Sequence, residues 1–142
     1  MTVEREFSCG GVVVRGTDCI VIVPMRRAAG GSQVLALPKG HPEPGESAAD
    51  AALREVREEA GVDATVREKL GDVRYWYQRD GERVLKVVSF FLFRYRSGSV
   101  RNHDHEVDSA EWLPLEDAPR LLEYKGEKEM AAAALSRWAQ GI

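Results

Sequence analysis

Apolar and polar positions alternate along this chain in two rhythms. From Phe7 to Val14 and from Ile20 to Met25 the residues are β-branched and apolar, parted by Gly16, Thr17 and Asp18, which predicts two strands joined as a hairpin. Gly10 and Gly11 interrupt the first run and mark either a bulge or a close approach to its backbone. A loop from Met25 to Gln33, with Arg26 and Arg27 read as solvated, leads to a short strand from Val34 to Leu37. The rhythm then turns helical. After Ser47, Ala49, Ala52, Leu53, Val56 and Ala60 share one side of a helix, while Glu55, Glu58 and Glu59 gather on the other. Ser47 with Asp50 reads as a capping-box variant, and Gly61 supplies the stop.

Extended segments return from Ala64 to Gln78 and from Arg83 to Arg96, joined across Asp80 and Gly81 in a strong hairpin signal. The second, RVLKVVSFFLFRYR, is almost continuously apolar and predicts a central strand. Within it Lys86 is either an edge residue with its head in water or a phosphate contact. Ser97 to Asp108 reads as a polar loop, Ser109 to Leu113 as a short strand, and Leu115 to Leu122 as a helical turn. Gly126 to Gln140 is an amphipathic helix with Met130, Ala134, Leu135 and Trp138 on its apolar side. The order hairpin, strand, helix, hairpin, strand, helix predicts an α+β fold with helices layered on a curved sheet.

Composition narrows this picture. A chain of 142 residues, 44% hydrophobic and 30% charged, fits one domain spanning 1–142 with a real core. A net charge of −3 provides no global attraction to nucleic acid or to an anionic membrane, so anion binding must be local. Cys9 and Cys19 are the only cysteines, and with no metal spacing around them they read as buried thiols of a reduced cytosol. No apolar run reaches the roughly 20 residues that span a bilayer. The expectation is a cytoplasmic protein, monomer or homodimer, with neither nucleic acid nor membrane as partner.

The candidate chemistry lies in GHPEPGESAADAALREVREEAGV, Gly40 to Val62, which holds five glutamates and three glycines. Glu-rich helix faces are commonly solvated and paired at i,i+4, as Arg54 and Glu58 would be. Here, however, a rigid loop containing Gly40, Pro42, Pro44 and Gly45 feeds the acid face, and clustered hard oxygens suit Mg²⁺ or Mn²⁺. Gly40, Glu46, Arg54, Glu55, Val56, Glu58, Glu59, Gly61 and Val62 together resemble, without departure, the signature of Nudix hydrolases. The resemblance implies a Nudix-type α/β/α sandwich with a mixed curved sheet. It also implies metal-dependent attack of water on a nucleoside diphosphate linked to another group. Glu55, Glu58, Glu59 and Gly40 would hold the metal, Glu58 or Glu55 would act as base, and Arg54 would orient the acids. Glu46 would brace the loop or hold a metal through water.

LPKGHPEPGES and the C-terminal third are similar to the diadenosine polyphosphate hydrolase subfamily. That likeness implies an extra metal ligand at Glu106, and polyphosphate and adenine contacts at Lys39, His41, Lys86, Tyr77 and Tyr124. The loop from Ala28 to Gln33, with Asp104 and Val107 beside Glu106, departs from the animal and plant members. Tyr75, Trp76 and Tyr77 are either the two faces of a strand, one of them core, or a platform for a base. The small-molecule substrate expected is a diadenosine tetra- to hexaphosphate, cleaved with release of ATP or of ADP or AMP. The alternatives are an oxidised nucleoside triphosphate, ADP-ribose or a diphosphoinositol phosphate, and, outside enzymes, a nucleotide-sensing module.

Overall fold

A computed structural model describes residues 3–25 and 33–139. The elements in chain order are β1 (Glu4–Arg15), β2 (Asp18–Pro24), β3 (Lys39–Gly40), α1 (Ala48–Ala60), β4 (Val62–Arg79), β5 (Glu82–Gly98), β6 (Val107–Pro114), α2 (Ala118–Leu121) and α3 (Lys125–Ala139). The sheet runs β4, β5, β1, β2, β6, with β3 paired to β1 off that path. β1 and β5 are parallel and the other pairings antiparallel, so the sheet is mixed. Alternation sorts its side chains into two cores. Val12 and Val14 on β1 with Phe90 and Leu92 on β5 face α3, whereas Val13, Phe91 and Phe93 face α1. The result is the expected α+β sandwich, helix on sheet on helix.

Turn chemistry explains the long hairpin. Asp80 and Gly81 have φ of 53° and 80°, the paired left-handed geometry that matches the twist of two antiparallel strands. β5 is paired on both sides, as its apolar run requires. The first hairpin is shorter than expected, since β1 and β2 register only through Val14 with Cys19 and Arg15 with Asp18. Further back, β1 turns to β3, and Gly10 lies so close to the Pro38 carbonyl and Lys39 that no side chain fits there. The glycine pair thus marks close approach. The expected strand from Val34 to Leu37 is reduced to one bridge, Ala36 with Ile22, and the paired segment lies two residues later at Lys39–Gly40. Pro38, which has no N–H for a ladder, separates the two.

Within the expected polar loop, residues Val100–Asn102 make a 3₁₀ turn, and β6 starts at Val107, two residues early. Cys9 and Cys19 are free and buried. Arg26 and Arg27, and the departing loop from Ala28 to Gln33 except Gln33 itself, lie outside the described residues. Among the described residues no helix is long and apolar enough to cross a membrane.

Candidate active site

The acid helix is fixed at both ends. Ser47 Oγ accepts the Asp50 N–H at 3.1 Å, the half of the capping box that the sequence led us to expect. Gly61, at φ 76°, ends the helix where a side chain would strike the Ser99 carbonyl. Asp104 then donates its N–H to the Glu58 carbonyl at 2.8 Å, which brings the turn carrying Glu106 against the end of α1.

Arg54 organises the acids. Its Nε and Nη2 grip Glu46 at 2.8 and 3.0 Å, Nη2 also reaches the His41 carbonyl at 2.8 Å, and Nη1 approaches Glu55 and Glu58 at 3.2–3.3 Å. Glu46 in turn accepts the Glu43 N–H at 2.8 Å, so it braces the loop. The bond to Arg54 holds the Glu46 carboxyl below the ordinary carboxylate range.

Glu55 lies beside Glu58, with which it shares Arg54, but it is buried alongside Ala51, Ala52 and Val56, beneath Gly40. Helical geometry explains this, because Glu55 follows Ala51 and Ala52 by four and three positions and so sits above them. A Cβ at Gly40 would occupy the space of the Glu55 carboxylate. Burial, the neighbouring Glu58 and the charge of Glu59 raise the Glu55 proton affinity well above the carboxylate range, against the pull of Arg54. Glu59 is pushed up to about 7, chiefly by burial and also by Asp104 and Glu106, while the Lys39 N–H that it accepts at 3.0 Å opposes the rise. Glu58 remains open to water, its side chain 46% exposed.

A divalent cation fits this donor set by its chemistry. The acids are hard oxygens crowded enough to retain protons, and the missing side chain at Gly40 leaves the Glu55 carboxylate its room. Among the described residues, though, no three Asp, Glu, His or Cys side chains already stand close enough together to hold a metal ion. The guanidinium of Arg54 stands between Glu55 and Glu58.

On the sheet side lies an open cleft of about 940 Å³. All five residues expected to bind substrate, Lys39, His41, Lys86, Tyr77 and Tyr124, line it. Tyr75 and Tyr77 point into it together, ring centroids 6.4 Å apart, while Trp76 turns to the other face and stacks on Arg83 at 4.2 Å. Neither tyrosine is core. Lys86 corrects the edge reading: it is buried on a strand paired at both sides, and its ammonium meets Glu6 at 2.6 Å. Glu6 also accepts from Tyr77 at 2.5 Å and Arg79 at 2.7 Å, and with Lys86 foremost these bonds hold its carboxyl at about 2. Lys39 meets the buried Glu127 at 2.7 Å and lies 5.7 Å from the Tyr124 ring centroid. Burial works against the Lys39 charge, but Glu127 outweighs it and raises the ammonium above its ordinary value.

Glu6, Arg79 and Glu127 escaped the sequence reading, and Asp104 was read only as a departure beside Glu106. Glu6 had a signal only in retrospect, since the parallel register of β1 and β5 sets Glu6 beside Lys86.

An α/β/α sandwich whose glycine loop delivers an arginine-bound acid helix to a cleft at the sheet defines the class of protein. The chain belongs to the Nudix family, because the NUDIX domain matches residues 7–134. It is 37% identical to a Mycobacterium tuberculosis protein named for the mutator MutT4, over 94% of this chain and 56% of that protein. It is 35% identical to the asymmetrical bis(5'-nucleosyl)-tetraphosphatase of Sus scrofa, over 64% of this chain and 63% of the relative. The chain therefore spans somewhat more than half the length of these relatives. Among solved structures, a MutT Nudix hydrolase from Burkholderia pseudomallei superposes with a TM-score of 0.73 at 21% identity, covering 92% of this chain and 98% of that one. This last likeness concerns the fold.

Proposed function

We propose that this chain hydrolyses the phosphoric anhydride bond of a nucleoside diphosphate linked to another group, with diadenosine polyphosphates as substrates and Mg²⁺ or Mn²⁺ as cofactor. The observation that carries the reading is the joining of cleft and acid helix through three consecutive residues. Lys39 and His41 line the cleft, the Lys39 N–H and the His41 carbonyl hold Glu59 and Arg54, and Gly40 covers Glu55. A phosphate chain lying in the cleft thereby ends at the carboxylates.

Glu55, Glu58 and Glu59, with Glu106 and the Gly40 carbonyl, would hold the cation, which when bound offsets charge on the phosphoryl oxygens and acidifies water. Arg54 keeps the acids in place. Glu58, the exposed member, takes the proton of the attacking water as its oxygen bonds to phosphorus, and the anhydride oxygen leaves with the electron pair of the broken bond. Tyr75, Tyr77 and Tyr124 present rings for an adenine. At about 940 Å³ the cleft sits at the upper end of ligand pockets, which suits a substrate longer than one nucleotide.

One observation favours a second reading, hydrolysis of oxidised nucleoside triphosphates. Lys39, Lys86 and Arg79 already face Glu127, Glu6 and Glu4, which leaves less free positive charge for a long phosphate chain. Incubation with Mg²⁺ and a panel of diadenosine polyphosphates, oxidised deoxynucleoside triphosphates and ADP-ribose, followed by chromatography, tests both. Release of ATP with ADP or AMP from the dinucleotides is expected. Far faster cleavage of an oxidised triphosphate moves the substrate to the second reading, and no cleavage of any of them, nor of a diphosphoinositol phosphate added to the panel, leaves a sensing module.

A further inference from the structure

Glu127 stands in the first turn of α3 and is 4% exposed. A carboxylate so deep persists only with strong partners, and both of its partners lie on one distant segment. Its Oε1 accepts the Leu37 N–H at 2.7 Å and its Oε2 accepts the Lys39 ammonium at 2.7 Å. Lys39 spends its own main-chain N–H on Glu59 at 3.0 Å, and Gly40 backs directly onto Glu55. On the other side of Glu127, Gly126 presses on Val73 so closely that no side chain fits, and Tyr124 and Lys125 line the cleft. One carboxylate thus ties the helix start that borders the cleft to the segment that orients two acids of α1.

We infer that Glu127 is a positioning residue that sets Lys39 and Gly40 against Glu59 and Glu55, and so links the cleft wall to the geometry of the acid helix. The inference rests on the hydrolase reading for its activity arm only. A merely structural Glu127 would pin α3 to the sheet, and its loss would lower stability without changing how α1 binds a cation. The shared residue, Lys39, separates the two cases. Through Lys39 the effects of Glu127 and Lys39 substitutions overlap, whereas independent packing effects multiply.

The test compares Glu127→Gln, Lys39→Met and the double variant. Glutamine keeps the size of the side chain and an oxygen for the Leu37 N–H, but removes the ion pair. Mn²⁺ affinity is measured without substrate, and kcat and KM are measured with the best nucleotide of the panel. Each single variant is expected to fold, as judged by circular dichroism, and to lose about tenfold in Mn²⁺ affinity, the usual scale for a residue that orients a metal ligand. The double variant is expected to lose no more than the worse single. Wild-type Mn²⁺ affinity in folded Glu127→Gln, or multiplying losses in the double variant, overturns the inference. Should Glu127→Gln not fold, Glu127→Leu combined with Lys39→Met removes both charges at once and is read by the same Mn²⁺ titration: a tenfold loss supports the inference, and wild-type affinity overturns it. A wild-type protein that cleaves nothing in the panel, while Mn²⁺ affinity still falls in Glu127→Gln, sinks the hydrolase reading and leaves Glu127 in its role.

Discussion

Two sets of carboxylates lie on either side of the segment from Leu37 to His41, and they are held in opposite ways. On α1, Glu55 and Glu58 share the guanidinium of Arg54, which is also engaged by Glu43 and Glu46. In the cleft wall, Glu6 has Lys86, Tyr77 and Arg79, and Glu127 has Lys39 and the Leu37 N–H. Burial and mutual repulsion therefore win on α1, where Glu59 rises to about 7, and pairing wins in the cleft, where Glu6 falls to about 2. The contrast teaches that the sites have different tasks. The α1 acids are crowded enough to hold protons that an added cation would displace, while the cleft presents cations whose partners fix their direction.

The largest effect expected is on turnover. Glu59→Gln removes one oxygen charge from the acid helix and should lower kcat by about two orders of magnitude or more, the scale of metal and general-base effects. Near wild-type kcat at saturating Mg²⁺ in a folded variant would end the assignment.

Next comes stability against pH, where the two regions differ in sign. Glu59 binds its proton more tightly folded, at about 7, than unfolded, near 4.5, so stability is highest below the unfolded value and falls as pH rises through 7. In chelator, denaturant unfolding should show a loss of order 2 kcal/mol between pH 5 and pH 8 from this group. Glu59→Gln should flatten that slope. Glu6 acts the other way: its contribution is present above the unfolded value near 4.5 and is lost as pH falls toward 2. Stability in chelator that rises between pH 5 and pH 8 would contradict the α1 half of the comparison.

Smaller still are changes in the cleft. Lys86→Ala and Tyr124→Ala should each raise KM for diadenosine polyphosphates about tenfold and lower kcat less, since they bind ground and transition states alike. Unchanged KM in both would remove the cleft from the substrate. At the bottom of the scale, Arg57→Ala breaks a pair with Asp63 whose side chains are 65% and 51% exposed. Unfolding free energy should move by less than about 0.5 kcal/mol, with unchanged turnover, as measured by the same denaturant titration and assay.

What could be read from sequence follows the range of the interactions. α1, its Ser47 cap, its Gly61 stop and the Asp80–Gly81 turn depend on neighbours a few residues away, and each was legible. Arg54 and Glu46, eight apart across one loop, were legible through the spacing of the signature. Glu6 with Lys86 and Glu127 with Lys39 are separated by 80 and 88 residues. No local pattern says that β5 runs parallel to β1, so nothing in the chain announced that Lys39 and Lys86 have carboxylate partners. The burial of Glu55 went unread for a different reason: a stripe of alanines leaves room for a glutamate to lie flat against the core, which hydrophobic periodicity alone does not announce.

Calorimetric titration of Mn²⁺ into chelator-stripped protein at pH 6.5, run in two buffers of different ionisation heat, counts the protons that the acid helix exchanges for the cation. Glu55 and Glu59 retain protons near that pH, so release of between one and two protons on binding is expected, with about one fewer in Glu59→Gln. Mn²⁺ binding without proton release, or no binding at all, would contradict the claim that the crowded α1 acids exchange protons for a cation.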